Sequence, residues 1–169
     1  MREIVRFAWG ISSLGDFVVA ISDKGIVALE FGSGRTRMED ALRTRFPDAD
    51  LHRDQDGLAD VITTVTALID DPAKDCDLSL DMRGTAYEVK VWTMLREIPA
   101  GQTTTYGALA AKLGTRDPRD VTQAIANNAI AVIVPCHRVI KKDGSISGYR
   151  WGVRRKRALL AREQGNQEH

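Results

Sequence analysis

The hydrophobic pattern changes character near residue 84, from strands and helices mixed to mainly helices, and that change decides what kind of chain this can be. Before it, "EIVRFAW" (3–9), "DFVVAIS" (16–22) and "GIVALEF" (25–31) are rich in β-branched and aromatic residues, and "SSLG" and "DKG" separate them. Short runs of this kind between turn-forming residues predict an antiparallel meander. Residues 35–46 predict a helix halted by Pro47. "GLADVITTVTALIDDP" predicts a second, halted at Pro72, and the alternating "CDLSLDM" predicts a return to the sheet.

After residue 84 the period is helical. Thr85 followed by Glu88 forms a capping box, and Tyr87, Val91, Met94, Leu95 and Ile98 share one apolar face before Pro99 and Gly101 end the helix. "TTYGALAAKLG" predicts a short helix stopped by Gly114. "DPRDVTQAIANN" predicts another, with Asp117 as N-cap, Pro118 at the first helical position and Asp120 in the first turn. Two short helices joined by a few residues predict a helix-turn-helix. On the second, Val121, Ala124, Ile125 and Asn128 form a packing face, while Arg119, Thr122, Gln123 and Ala126 form a face free to meet a partner.

The 169 residues suit one ordinary domain or two small ones. No segment is long enough to span a membrane, and "MREIVRFAWG" lacks the apolar core of a secretory signal. Two cysteines, Cys76 and Cys136, make no disulfide framework, so a reducing cytoplasm is the expected compartment. The net charge of +1 conceals an asymmetry. Residues 1–100 carry 12 Lys and Arg against 18 Asp and Glu, and residues 101–169 carry 12 against 5. A basic C-terminal part on a neutral chain points to a polyanion-binding face.

That basic part contains "AIAVIVPCHRVIKKDGSISGYRWG" (129–152). Its first six residues predict a buried strand running straight into Pro135-Cys136-His137-Arg138. Adjacent Cys and His without a second pair of ligands do not have zinc spacing, so no metal is expected. The remaining chemistry is that of a reactive thiol, whose ionised fraction a nearby base or cation would raise. Because i and i+1 side chains point apart, His137 would reach Cys136 through a bend or a bridging water. The residues alone leave three readings open: alkyl transfer to the thiol, a helix-turn-helix regulator with a structural Cys, and a cysteine hydrolase. No acyl-binding or oxyanion-hole feature favours the last.

Pro135-Cys136-His137-Arg138-Val139, with Asn128 eight residues before the thiol and "SGYRWG" after it, resembles the O6-alkylguanine-DNA alkyltransferases, including the methyltransferase half of Ada-type proteins. The resemblance implies a small ribonuclease-H-like α/β domain over residues 1–83. Over 84–169 it implies a helical, winged-helix or helix-turn-helix-type DNA-binding domain. It also implies single-turnover repair of double-stranded DNA carrying O6-alkylguanine, and of O4-alkylthymine, by a monomer without cofactor. By position, Cys136 would accept the alkyl group, His137 would act as a water-mediated base, and Glu163 would hold the imidazole tautomer. Asn128 would support the turn before the active-site strand, and Tyr106 would donate a hydrogen bond to the leaving guanine. Arg119 would fill the stack after the base is flipped, with Thr122, Gln123 and Ala126 beside it on the DNA-facing helix. Tyr149, Trp151, the Arg150 backbone and the Val139 carbonyl would line the base pocket.

Base flipping costs a few kcal/mol, which an arginine entering from the minor groove partly offsets. Lys141, Lys142, Arg154, Arg155, Lys156 and Arg157 would attract phosphates. The family has very small residues after the finger arginine. Asp120, Thr122 and Gln123 stand there in this chain, which predicts weaker or shifted docking on DNA.

Overall fold

The computed structural model describes residues 2–74, 76–114, 117–146 and 148–165. Residues up to Met82, together with Ala129–Ala131, form one compact unit, and Arg83–Asn128 with the chain from Val132 onward form the other.

The first unit is a four-stranded mixed sheet of order β3-β2-β1-β4. Its strands β1 (Glu3–Ser12), β2 (Gly15–Ile21) and β3 (Ile26–Phe31) are the meander that the alternating runs predict, paired antiparallel. The period of two sends Val5, Phe7, Trp9, Val18 and Ala20 to one face, where they pack with Met38, Leu42 and Phe46 around α1 (Arg35–Arg45). Gly10 is required where it stands, because the Phe17 ring of the paired strand fills the space a β-carbon would take. Helix α2 (Ala59–Asp70) packs against β1 with Val65, Leu68 and Ile69 buried.

Two departures from the sequence expectations lie in this unit. A fourth strand, β4 (Ala49–Arg53), pairs parallel to β1, with Ala49 and Leu51 partly buried against the core and Asp50, His52 and Arg53 exposed. Two half-buried apolar residues make too short an alternation to mark a strand in the sequence. The run "CDLSLDM" forms no strand. Only Leu80 bridges to Ile26, with Ser79 O accepting from Ile26 N and Asp81 N donating to Ile26 O.

In the second unit, α3 (Ala86–Arg96) begins with the complete capping box. Thr85 Oγ1 accepts from Glu88 N at 3.1 Å, and Glu88 Oε1 accepts from Thr85 N at 2.9 Å. Trp92, outside the apolar face read from the sequence, is buried, and its indole N–H donates to Ala124 O at 2.8 Å. A two-residue strand, β5 (Thr104–Thr105), leads into α4 (Tyr106–Leu113). That helix ends at Gly114 in the left-handed conformation (φ 73°). Helix α5 (Pro118–Ala126) packs on α3 and α4 with Val121, Ala124 and Ile125 buried. Strand β6 (Val139–Ile140) pairs parallel with β5, and α6 (Val153–Glu163) closes the unit. Among the described residues no helix is long and apolar enough to cross a membrane.

The apolar run 129–134 is not the regular strand its composition predicts. Ala129 O accepts from Leu29 N and Ala131 N donates to Leu29 O, so this short piece belongs to the first unit's hydrogen bonding. The chain then turns at Val132, a β-branched residue at φ 66°. The left-handed region disfavours such a residue, so tertiary packing and not local preference holds this turn.

Candidate active site

The motif after that turn is built by its own backbone. Pro135 has φ −82° and ψ 63°, and Cys136 N donates to Val134 O at 2.8 Å, an inverse γ-turn centred on the proline. Cys136–Arg138 then form a single 3-10 turn, with Arg138 N donating to Pro135 O. The thiol and imidazole therefore leave a tight turn and not an extended segment, and all three side chains point into the unit's interior.

Asn128, directly after α5, is fixed in this interior. Its Nδ2 donates to Val134 O at 3.2 Å and to Cys136 Sγ at 3.4 Å. It thus braces the turn and gives the sulfur a donor that favours negative charge. The sulfur is nevertheless buried, with Cys136 only 3% exposed. Burial pushes its thiol up to about 11, against the downward pull of Asn128, Lys156 and Arg150. Lys156 and Arg150 pull in the direction expected of neighbouring cations, but desolvation outweighs them, so the resting sulfur is protonated at neutral pH.

His137 is fully buried. Its Nε2 lies 2.8 Å from Glu163 Oε2, reaching across from the last turn of α6. Burial alone would raise Glu163, but hydrogen bonds from His137 and Arg138 outweigh it and hold the carboxylate below its usual range. An ionised carboxylate only accepts, so Nε2 carries the proton and Nδ1 presents a lone pair. That Nδ1 is buried and has no hydrogen-bond partner. Burial lowers His137, with Glu163 opposing, so the ring is neutral at rest and able to take a proton.

Two members of the cluster escape a reading of the motif alone. Arg138 donates from Nε to both Glu163 oxygens at 3.0 Å, from Nη2 to Oε2 at 2.7 Å, and from Nη1 to Ile98 O. Lys156, expected among the phosphate-attracting cations, is fully buried, and its Nζ donates to Val139 O at 2.6 Å and to Gly148 O at 3.5 Å. Burial lowers this ammonium to about 8, with the facing Cys136 pulling the other way. The signal was in the helical spacing. Lys156 stands three residues before buried Leu159 and seven before Glu163, on the inward face of α6.

The remaining expected residues are placed as follows. Tyr149 stacks edge-on against Trp151 with ring centroids 5.2 Å apart, its hydroxyl buried and without a hydrogen-bond partner. Burial, then the charge of a Cys136 thiolate, raise it well above the usual tyrosine range. Arg150 acts through its side chain, which donates to Asn128 O at 2.9 Å and lies over the Trp151 ring. The Val139 carbonyl is already engaged by Lys156. Tyr106 opens α4, half-buried. Arg119, Thr122, Gln123 and Ala126 are exposed on α5, opposite its packing face. Lys141, Lys142, Arg154 and Arg157 are exposed, whereas Arg155 is partly buried and donates to Trp151 O.

Residues 86–165 match the family model for the 6-O-methylguanine DNA methyltransferase DNA-binding domain. The chain is 41% identical over 165 residues to the bifunctional transcriptional activator/DNA repair enzyme Ada of Escherichia coli, covering 97% of itself and 47% of that protein. It thus spans about half the length of such Ada relatives. It is 35% identical over 162 residues to the inducible methylated-DNA–protein-cysteine methyltransferase of Bacillus subtilis, covering 92% of itself and 89% of that protein. Among solved structures, the O6-methylguanine methyltransferase of Mycobacterium tuberculosis superposes with a TM-score of 0.80 at 31% identity, over 97% of this chain and 95% of that one. The M. tuberculosis OGT in complex with DNA gives 0.78 at 30% identity, over 95% and 93%. Relatives matched from end to end in both sequence and fold leave one assignment: the chain belongs to the O6-methylguanine-DNA methyltransferase family.

Proposed function

We propose that the protein repairs alkylated DNA by moving the alkyl group of O6-alkylguanine, and of O4-alkylthymine, irreversibly onto Cys136. It does so as a cytoplasmic monomer acting on duplex DNA without a cofactor. The observation that carries the reading is the buried chain Cys136, Asn128, His137, Glu163. It pairs a protonated thiol with a neutral imidazole whose free nitrogen is unpartnered.

Arg119 enters the stack as the damaged base turns out, and Thr122, Gln123 and Ala126 line the α5 surface that meets the groove. The base lodges against Tyr149, Trp151, Val139 and Arg150. His137 Nδ1 takes the thiol proton through a bridging water, Glu163 stabilises the imidazolium, and Lys156 and Asn128 stabilise the nascent thiolate. The sulfur attacks the alkyl carbon, the carbon–O6 bond breaks, and its electron pair leaves with the guanine. Tyr106 donates a hydrogen bond to that anion, and the imidazolium balances its charge. The thioether has no route back, so each molecule acts once.

Incubation with a duplex carrying O6-methylguanine should add one methyl mass to the Cys136 peptide, and none in Cys136→Ser. Loss of lesions in excess of protein would overturn the single-turnover reading.

A further inference from the structure

Arg119 is highly exposed, yet it is not extended. Its side chain, 90% exposed, folds back onto Asp117, with Nη2 at 2.9 Å from Oδ2 and Nε at 3.0 and 3.1 Å from the two carboxylate oxygens. The same carboxylate caps α5 by accepting from Arg119 N at 2.9 Å. One residue thus holds the helix start and the finger together. Among the described residues Asp117 is the hydrogen-bond and ion-pair partner of this guanidinium. Asp120, on the following residue, adds a second negative charge that also favours the guanidinium's charged form.

We infer that Asp117 sheathes the finger. In the free protein it holds Arg119 against the α5 N-terminus, and the arginine enters the duplex only when DNA takes over its pairing. This inference rests on the reading of Arg119 as the residue that fills the stack. Its physical basis is a pair that is geometrically well formed but exposed. An exposed ion pair is weak and screened, so it biases the resting state without locking it. A DNA phosphate offers the guanidinium an equivalent bidentate acceptor. The sheath therefore biases Arg119 toward Asp117 off the duplex and gives way to phosphate on it. Asp117 is a positioning residue here, acting through Arg119.

The test separates this role from capping and from plain repulsion of phosphate. Asn caps a helix as well as Asp, so Asp117→Asn keeps the cap and removes the charge. Its rate constant for methyl transfer from an O6-methylguanine duplex should rise about two- to fivefold, the range expected from releasing an exposed pair. Transfer from free O6-benzylguanine, which needs no finger, should stay at the unmodified rate. In an Arg119→Ala background, Asp117→Asn should change nothing. An equal gain in that background would mean general repulsion and overturn the inference, as would no gain with Arg119 present. Arg119→Ala transferring from duplex as fast as the unmodified protein would overturn it too, while leaving alkyl transfer to Cys136 standing. No methyl uptake by the unmodified protein would overturn both.

Discussion

The sulfur at the centre of this site rests as a thiol, and its reactivity has to be made at the moment of reaction. With Cys136 at about 11 and His137 held low by burial, neutral thiol and neutral imidazole coexist over a wide pH window. Thiol and imidazole both keep these forms through neutral pH, so the rate of alkylation by free O6-benzylguanine should not climb from about pH 7 to 9. It should fall on the acid side, where His137 is protonated, and on the alkaline side through about 8, where Lys156 loses its proton. A rate rising tenfold per pH unit across that range would show attack by bulk thiolate and no proton transfer to His137. Lys156 sharpens the point. A buried ammonium beside the sulfur is costly at rest and stabilising once the thiolate forms. One pKa unit on the thiol is worth about 1.36 kcal/mol, a factor of ten. Lys156→Met should slow alkylation at pH 7.5, because it removes a charge that pulls the thiol down. An unchanged rate would show that the ammonium is only a strap between Val139 and Gly148.

Elements differ in how much of their position is written locally. Helix α3 is announced by Thr85 and Glu88, and the structure forms both capping bonds. Glu88 has a further duty, accepting from Asn127 Nδ2 at 2.7 Å and so tying the start of α3 to the end of α5. Thr85→Ala should cost about 1 kcal/mol, the usual worth of a side-chain cap, read as a lower urea midpoint. Glu88→Ala should cost more because it removes two contacts on different elements, and equal costs would show that the link to Asn127 contributes nothing. The meander and the helices of the second unit carry period, cap and stop signals, and were legible for that reason. Strand β4 was not legible, because its alternation rests on only two half-buried apolar residues, Ala49 and Leu51. The run 129–134 misled because apolar composition states burial and not conformation. Its single backbone bridge and the φ of 66° at Val132 are imposed from outside the run.

For the molecule as a whole, charge is partitioned, and burial then edits the partition. Seven cations lie between residues 141 and 157, but Lys156 is inside the unit, Arg155 is turned onto Trp151 O and Arg150 onto Asn128 O. That leaves Lys141, Lys142, Arg154 and Arg157 exposed. Each phosphate contact steepens the fall of duplex affinity with salt by about 0.9 in a log–log plot. Arg157→Ala should lower that slope by about this amount, in binding measured from low to physiological salt, and an unchanged slope would remove Arg157 from the interface.

The sequence by itself determined the family, the change of character near residue 84, the capped helices, and the identity of the thiol, imidazole and carboxylate. Those signals act over a few residues, or lie in a contiguous motif, and need no knowledge of what is far away. Only the tertiary structure decided which of these groups carry charge. It set Glu163 against His137 across 26 residues, drew Lys156 inward to face the sulfur, and buried Cys136 deeply enough to keep its proton. Protonation follows from desolvation and from distances between groups remote in the chain, and neither quantity exists until the chain has packed.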